Sequence, residues 1–281
     1  MPAPQVCTRT DVPERIPGLQ LSARRLLAAA EPAAHLLGFA GFHDIVALGG
    51  GRWGLAVGDV CGQTRGPRDP AAAQVDIARV VTRAVAQVDL TPSMVLAGMN
   101  RALLAGGSPQ ERWALAAAYV TVRPSLAGTW ARICVAGPQT AFLRRSSGRT
   151  IAIGRPGSAL GLRPDPELRD SRLLLRAGDI LTLVTARMTD GLGGPNRVCE
   201  ILAGAGRASA ARSTAAIARA VRDIGAGDVG RDGVVVAVKV PGGRPDHGTL
   251  SAPWPARGAS DEDARPGRRG RSPFGRTRYP F

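Results

Sequence analysis

The chain is 281 residues long, 44% hydrophobic and +15 in formal charge, with a mean hydropathy of -0.02, the composition of a globular protein large enough for one big domain or two small ones. No apolar run reaches the ~20 residues that a bilayer span needs, because Glu31, His35 and the nearby glycines and prolines interrupt the best stretch, residues 26–42. The first residues, MPAPQVCTRTD, lack a basic start followed by an apolar stretch, so the expectation is a cytoplasmic protein with no membrane partner.

Residues 1–15 read as a loose N-terminus. Residues 16–25 and 42–48 read as short strands, and 53–57 as another with Trp53, Leu55 and Val57 on one face and Gly54 and Ala56 on the other. Over residues 71–88, Ile77, Val80, Val81, Ala84, Val85 and Val88 recur at helical steps, which predicts a helix with these residues as its buried stripe. Thr91 then caps a second helix, with Pro92 at its first position, that runs to about Ala105 through Val95, Leu96, Met99 and Leu103. Strands follow without an intervening helix at 117–122, 130–135, 140–144, 173–176 and 179–184. Joined by short turns, consecutive strands are expected to pair antiparallel. A short helix near Val198, a longer one over 209–224 and a buried strand over 233–241 complete an α+β domain at residues 16–241. Residues 242–281 are rich in Pro, Gly, Ser and Arg without apolar periodicity, which predicts a disordered tail.

Nearly all the basic charge is arginine spread from end to end, Lys239 being the only lysine, and aromatic residues make up just 4%. Few platforms exist for base stacking, so no nucleic-acid partner is expected, and an arginine-rich nucleic-acid binder stands as the minor alternative. Cys7, Cys61, Cys134 and Cys199 are scattered, with no C-x-x-C pair and no histidine at ligand spacing, which argues against zinc and structural disulfides. Cys61 is read as a packed or loop thiol, since His35, His43 and His247 include no evident base for a nucleophile.

The stretch GRWGLAVGDVCG, residues 51–62, delivers one carboxylate, Asp59, from a strand of small and apolar residues onto a glycine-flanked turn, a placement suited to a metal ligand. With MNRALLA (99–105), GRPGSALGL (154–162), RAGDILTLVT (176–185) and RDGVVVAVKVP (231–241), in that order, it resembles the PPM-type (protein phosphatase 2C) serine phosphatases of the bacterial sporulation stage II E kind. The resemblance implies an α-β-β-α sandwich of two mainly antiparallel sheets flanked by helices, with the metal site at one rim. It also implies two Mn or Mg ions that turn a bridging water into the nucleophile on phosphoserine or phosphothreonine.

In the family the acidic metal ligands lie in G-G-D-[FW]-[YH]-D, in G-D-V-x-G, in T-D-G at a strand end and in R-D-[DN]. Here the first pattern reads Phe39, Ala40, Gly41, Phe42, His43, Asp44, so the ligand position is Gly41. The second is intact as Gly58, Asp59, Val60, with the Val60 carbonyl a further ligand candidate. The third falls on Ala186 followed by Arg187, and the fourth is intact as Arg231, Asp232. Two dications ~4 Å apart repel by roughly 17 kcal/mol at an effective dielectric of ~20, so such a site must be densely anionic. The two retained carboxylates are expected to hold at most one weak ion, and Arg187 adds positive charge. Asp190, four residues beyond Ala186, is a candidate stand-in, but extended chain would carry it up to ~13 Å past the strand end, so it is read as an ordinary loop aspartate. Asp44 is the candidate stand-in for Gly41, although it aligns with the family's own second aspartate. The loop that the family often writes G-H-P appears as Gly137, Pro138, Gln139.

The leading expectation is therefore a phosphatase-like domain with an impaired or inactive metal centre that binds a protein partner. By resemblance that partner is a phosphoserine-bearing antagonist of an anti-sigma factor. A working Mn/Mg-dependent phosphoserine phosphatase is the alternative.

Overall fold

A computed structural model of the chain describes residues 16–26, 41–61, 70–84, 88, 91–106, 114–206, 209–224 and 233–242. The loose N-terminus, Arg231, Asp232 and all of the expected tail but Gly242 lie outside the described residues. The elements in chain order are β1 (Gln20–Leu26), β2 (Gly41–Ala47), β3 (Trp53–Cys61), α1 (Pro70–Ala84), α2 (Pro92–Ala105), β4 (Ala114–Ser125) and β5 (Gly128–Ala136). Then come β6 (Thr140–Arg144), β7 (Thr150–Ile153), β8 (Ser171–Leu175), β9 (Ile180–Val184), α3 (Ala186–Gly191), α4 (Pro195–Ala203), α5 (Ala210–Asp223) and β10 (Gly233–Lys239).

The strands form two five-stranded antiparallel sheets, ordered β1-β10-β9-β6-β7 and β2-β3-β4-β5-β8. Alternation along each strand builds three apolar layers. Leu55, Val57, Val120, Ile133, Leu183 and Val236 fill the space between the sheets. Phe42, Ala56, Val60, Leu96, Met99 and Tyr119 join one sheet to α1 and α2, whereas Phe142, Val184, Val198, Ile217 and Val235 join the other to α3, α4 and α5. The result is the α-β-β-α sandwich, with the face assignment of Leu55, Val57 and Ala56 as expected from sequence.

Three expectations need correcting. Consecutive strands do not all pair: β5 bonds to β8 and β9 to β6, so the chain changes sheets between β1 and β2, between β5 and β6, between β7 and β8 and again between β8 and β9. Gly137, at φ +67°, makes the turn from β5 to β6, in a backbone region that side chains disfavour. The buried face of α1 is also rotated from the predicted stripe. Gln74, Val75, Ala78 and Thr82 are buried while Val80 is 66% exposed, because small residues and a hydroxyl that bonds back to the Ala78 carbonyl let the helix lie close to the sheet. Finally, the expected strand 53–57 continues through Asp59 to Cys61, with no turn at Gly58.

Gly58 is there for proximity. A Cβ at that position would lie 2.5 Å from the Ala116 carbonyl oxygen and 2.7 Å from the Phe42 ring. Gly58→Ala is therefore expected to cost about 1–3 kcal/mol through forced overpacking, read as a lower urea midpoint with an unchanged slope. An unchanged midpoint would mean that β3 and β4 separate freely at this point.

Candidate metal centre

Asp59 sits within β3, paired in register with Gly41 on β2 and Ala116 on β4. It shares the parity of Leu55 and Val57, so its carboxylate enters the space between the sheets, where it is 2% exposed. There it meets the end of β9. The Ala186 and Arg187 backbone N–H groups donate to its two oxygens at 3.2 and 2.9 Å. These are the opening residues of α3, whose preceding residue Thr185 makes no side-chain cap. Asp59 thus caps a helix 127 residues further along the chain.

The pKa of Asp59 is pushed up to about 6, chiefly by burial. The two backbone N–H groups and the Arg187 charge pull it back down, and the Asp190 charge adds a smaller upward push. Gly41, directly across the strand pair, supplies no oxygen, and neither does the buried Ala186. The Val60 side chain packs on the helix-facing side of the sheet, beside Phe42.

Asp190 is not in a loop. The chain turns into α3 immediately after β9, so Asp190 lies four helical residues from Ala186 on the same face, about 6 Å further along the axis instead of at the end of an extended run. Its side chain is exposed, yet its charge is felt at Asp59. Asp44 points the other way. It has the parity of Phe42, it is 3% exposed, and it accepts from the Arg83 guanidinium of α1 at 2.8 Å and from the Ile45 N–H at 3.0 Å. Asp44 and Asp59 therefore occupy opposite faces of one sheet. Among the described residues, no three His, Cys, Asp or Glu side chains are grouped where they could hold a metal ion.

Two residues organise this rim without having stood out in the sequence reading as site residues. Thr185 Oγ1 accepts from the Val234 N–H at 3.1 Å, and the Thr185 N–H donates to the Val234 carbonyl, which locks the end of β9 to the start of β10 beside Asp232's position in the chain. The Gln139 amide nitrogen donates to the Val184 carbonyl, fixing the other side of the same strand end. A cap or brace made by a residue distant in sequence leaves no local pattern, so neither contact is visible in motif spacing. Cys134 is buried, and burial pushes its thiol up to about 12, which suits a packed thiol.

On the same inter-sheet face, burial lowers His43 to about 4, with help from the Arg79 and Arg25 charges and against that of Asp44. The two perturbed groups give opposed pH dependences. Asp59, from 3.8 unfolded to about 6 folded, binds more protons in the native state, so its contribution declines as pH rises across that window. His43, from 6.5 unfolded to about 4 folded, binds more protons when unfolded, so its contribution grows with pH. Each amounts to about 3 kcal/mol over its window. Relative to the native chain, Asp59→Asn should gain stability with pH between about 4 and 6, and His43→Gln should lose it. Urea midpoints across that range measure both slopes, and parallel profiles for all three proteins would contradict this electrostatic picture.

The paired five-stranded sheets, the flanking helices and the carboxylate at the sheet rim define a protein phosphatase 2C-like domain. The sequence profile described as Stage II sporulation protein E (SpoIIE) matches residues 49–241, and the chain belongs to that family. No curated protein sequence matches the chain. Among solved structures it is similar to the RsbU and RsbW domains of Rv1364c from Mycobacterium tuberculosis, with TM-score 0.63, 21% identity, 84% of this chain covered and 62% of that one. The chain thus spans less than two thirds of that relative. It is also similar to the PP2C phosphatase domain of SpoIIE from Bacillus subtilis, with TM-score 0.58, 12% identity, 79% of this chain and 64% of that one. RsbX in complex with magnesium gives TM-score 0.57, 14% identity, 78% of this chain and 94% of that one.

Proposed function

We propose that this SpoIIE-type domain has an impaired metal centre and acts by binding a phosphoprotein regulator of the anti-sigma antagonist type. The observation that supports the reading most directly is the engagement of Asp59. Both of its oxygens already accept N–H groups from α3, and the positions across from it and beside it are Gly41 and Ala186. These residues do not fit a pair of dications. Their mutual repulsion needs several carboxylates to offset it, and the Arg187 charge opposes any cation there. Asp59, the Val60 carbonyl and Asp232, with Asp190 as an additional exposed carboxylate, suit at most one weakly held Mn or Mg ion. The neighbour that carries RsbU and RsbW domains in one protein supports a protein partner.

Purified full chain given Mn and p-nitrophenyl phosphate is expected to hydrolyse it no faster than Asp59→Asn does. It should also bind a phosphoserine peptide more tightly than the matching serine peptide. Sustained turnover abolished by Asp59→Asn would establish the active-phosphatase reading in its place.

A further inference from the structure

At the opposite end of β9 from Asp59, a cavity of about 560 Å³ is lined by Arg145, Ser146, Arg172, Leu173, Leu174, Arg176 and Asp179. The strand from Asp179 to Thr185 separates it from the candidate metal centre by about 20 Å at ~3.3 Å per residue. The two sites are distinct. Among the described residues, three guanidinium groups face one carboxylate here, and that carboxylate is spent internally. Asp179, 2% exposed in its side chain, accepts from Arg145 at 2.7 Å, from the Ser146 N–H at 2.9 Å and from the Arg176 N–H at 2.9 Å. These contacts brace one wall of the cavity, and Arg172 and Arg176 stay exposed at its mouth.

The other wall is β8, the terminal strand of its sheet. The Leu174 carbonyl accepts from Arg145 at 3.2 Å, so the backbone groups of Leu174 face away from β5. By alternation those of Arg172 do too; with the Leu174 carbonyl and the Arg176 N–H engaged by Arg145 and Asp179, the Arg172 N–H and carbonyl are the part of the edge offered to an extended chain. Arginines on an edge strand can serve merely to repel other strands. Here they stand at a cavity also lined by Leu173 and Leu174, an arrangement that suits an extended peptide carrying carboxylates. Among the described residues no aromatic ring lines the cavity, which disfavours stacked bases.

We propose that this cavity docks an extended acidic segment of a partner protein, its backbone adding to the β8 edge and its Asp or Glu carboxylates pairing with Arg172 and Arg176. The test is fluorescence anisotropy on the full chain with a labelled peptide alternating glutamate and serine, against its glutamine counterpart. The glutamate peptide should bind, and the glutamine peptide should bind about tenfold or more weakly. Arg172→Glu with Arg176→Glu should abolish that preference and gain affinity for a lysine-serine peptide, with an unchanged melting temperature because both side chains are exposed. Equal binding of the two peptides would overturn the proposal. So would glutamate-peptide binding that survives the double substitution, which would place the attraction elsewhere on this basic chain. A single-stranded oligonucleotide that outcompetes the glutamate peptide at these arginines would reassign the cavity to nucleic acid and overturn it as well.

Discussion

Asp59→Ala is expected to lower the unfolding free energy by about 2–4 kcal/mol at about pH 4, and by less at neutral pH where the buried carboxylate is charged, because it strands two buried backbone N–H groups at the start of α3. A carboxylate retained only to hold a metal behaves in the opposite way. Crowded functional carboxylates repel one another, and their removal commonly stabilises the metal-free protein. Asp59→Asn keeps one acceptor oxygen and removes the buried charge, so its cost should be well below that of alanine. Urea unfolding of the two variants measures the difference. An Asp59→Ala protein as stable as the native chain would show that the capping contacts contribute nothing, and the structural role assigned to Asp59 would fall with them.

The second large effect comes from placing carboxylates at the two positions proposed as vacant ligand positions, 41 and 186. An aspartate at 41 would face Asp59 across the strand pair, and one at 186 would enter the first turn of α3, where the Asp59 oxygens already lie. Directly opposed side chains on neighbouring strands approach to ~5 Å, where two like charges repel by about 3 kcal/mol at a dielectric of ~20. The Gly41→Asp, Ala186→Asp protein should therefore melt well below the native chain in EDTA and recover when Mn is added, while the native chain is indifferent to Mn. A double variant that melts like the native protein and ignores Mn would mean that the positions opposite and beside Asp59 do not converge on one space.

The elements most legible in the sequence were those with local signals. The second helix begins and ends where Thr91, Pro92 and Ala105 place it, and the Thr91 hydroxyl accepts from the Met94 N–H as a cap should. β6 spans the residues that its apolar run marks. Gly58 misled because a glycine before an aspartate reads as a turn, whereas this one admits a neighbouring carbonyl and a phenyl ring. α3 went unseen because its cap belongs to β3, so nothing in TARMTDG announces a helix. That one omission also misplaced Asp190, since an extended chain and a helix carry it to very different distances from Ala186. The proposal of vacant ligand positions at Gly41 and Ala186 rests on motif order, which assigns them residue by residue. The use made of Asp59 in their absence needed the fold.

The residues around Asp59 are proposed to be unable to hold two divalent ions side by side. Calorimetric titration of the full chain with Mn in neutral buffer measures this directly. The expected result is no binding, or one weak site lost in Asp59→Asn. Two tightly bound Mn equivalents per chain would contradict it.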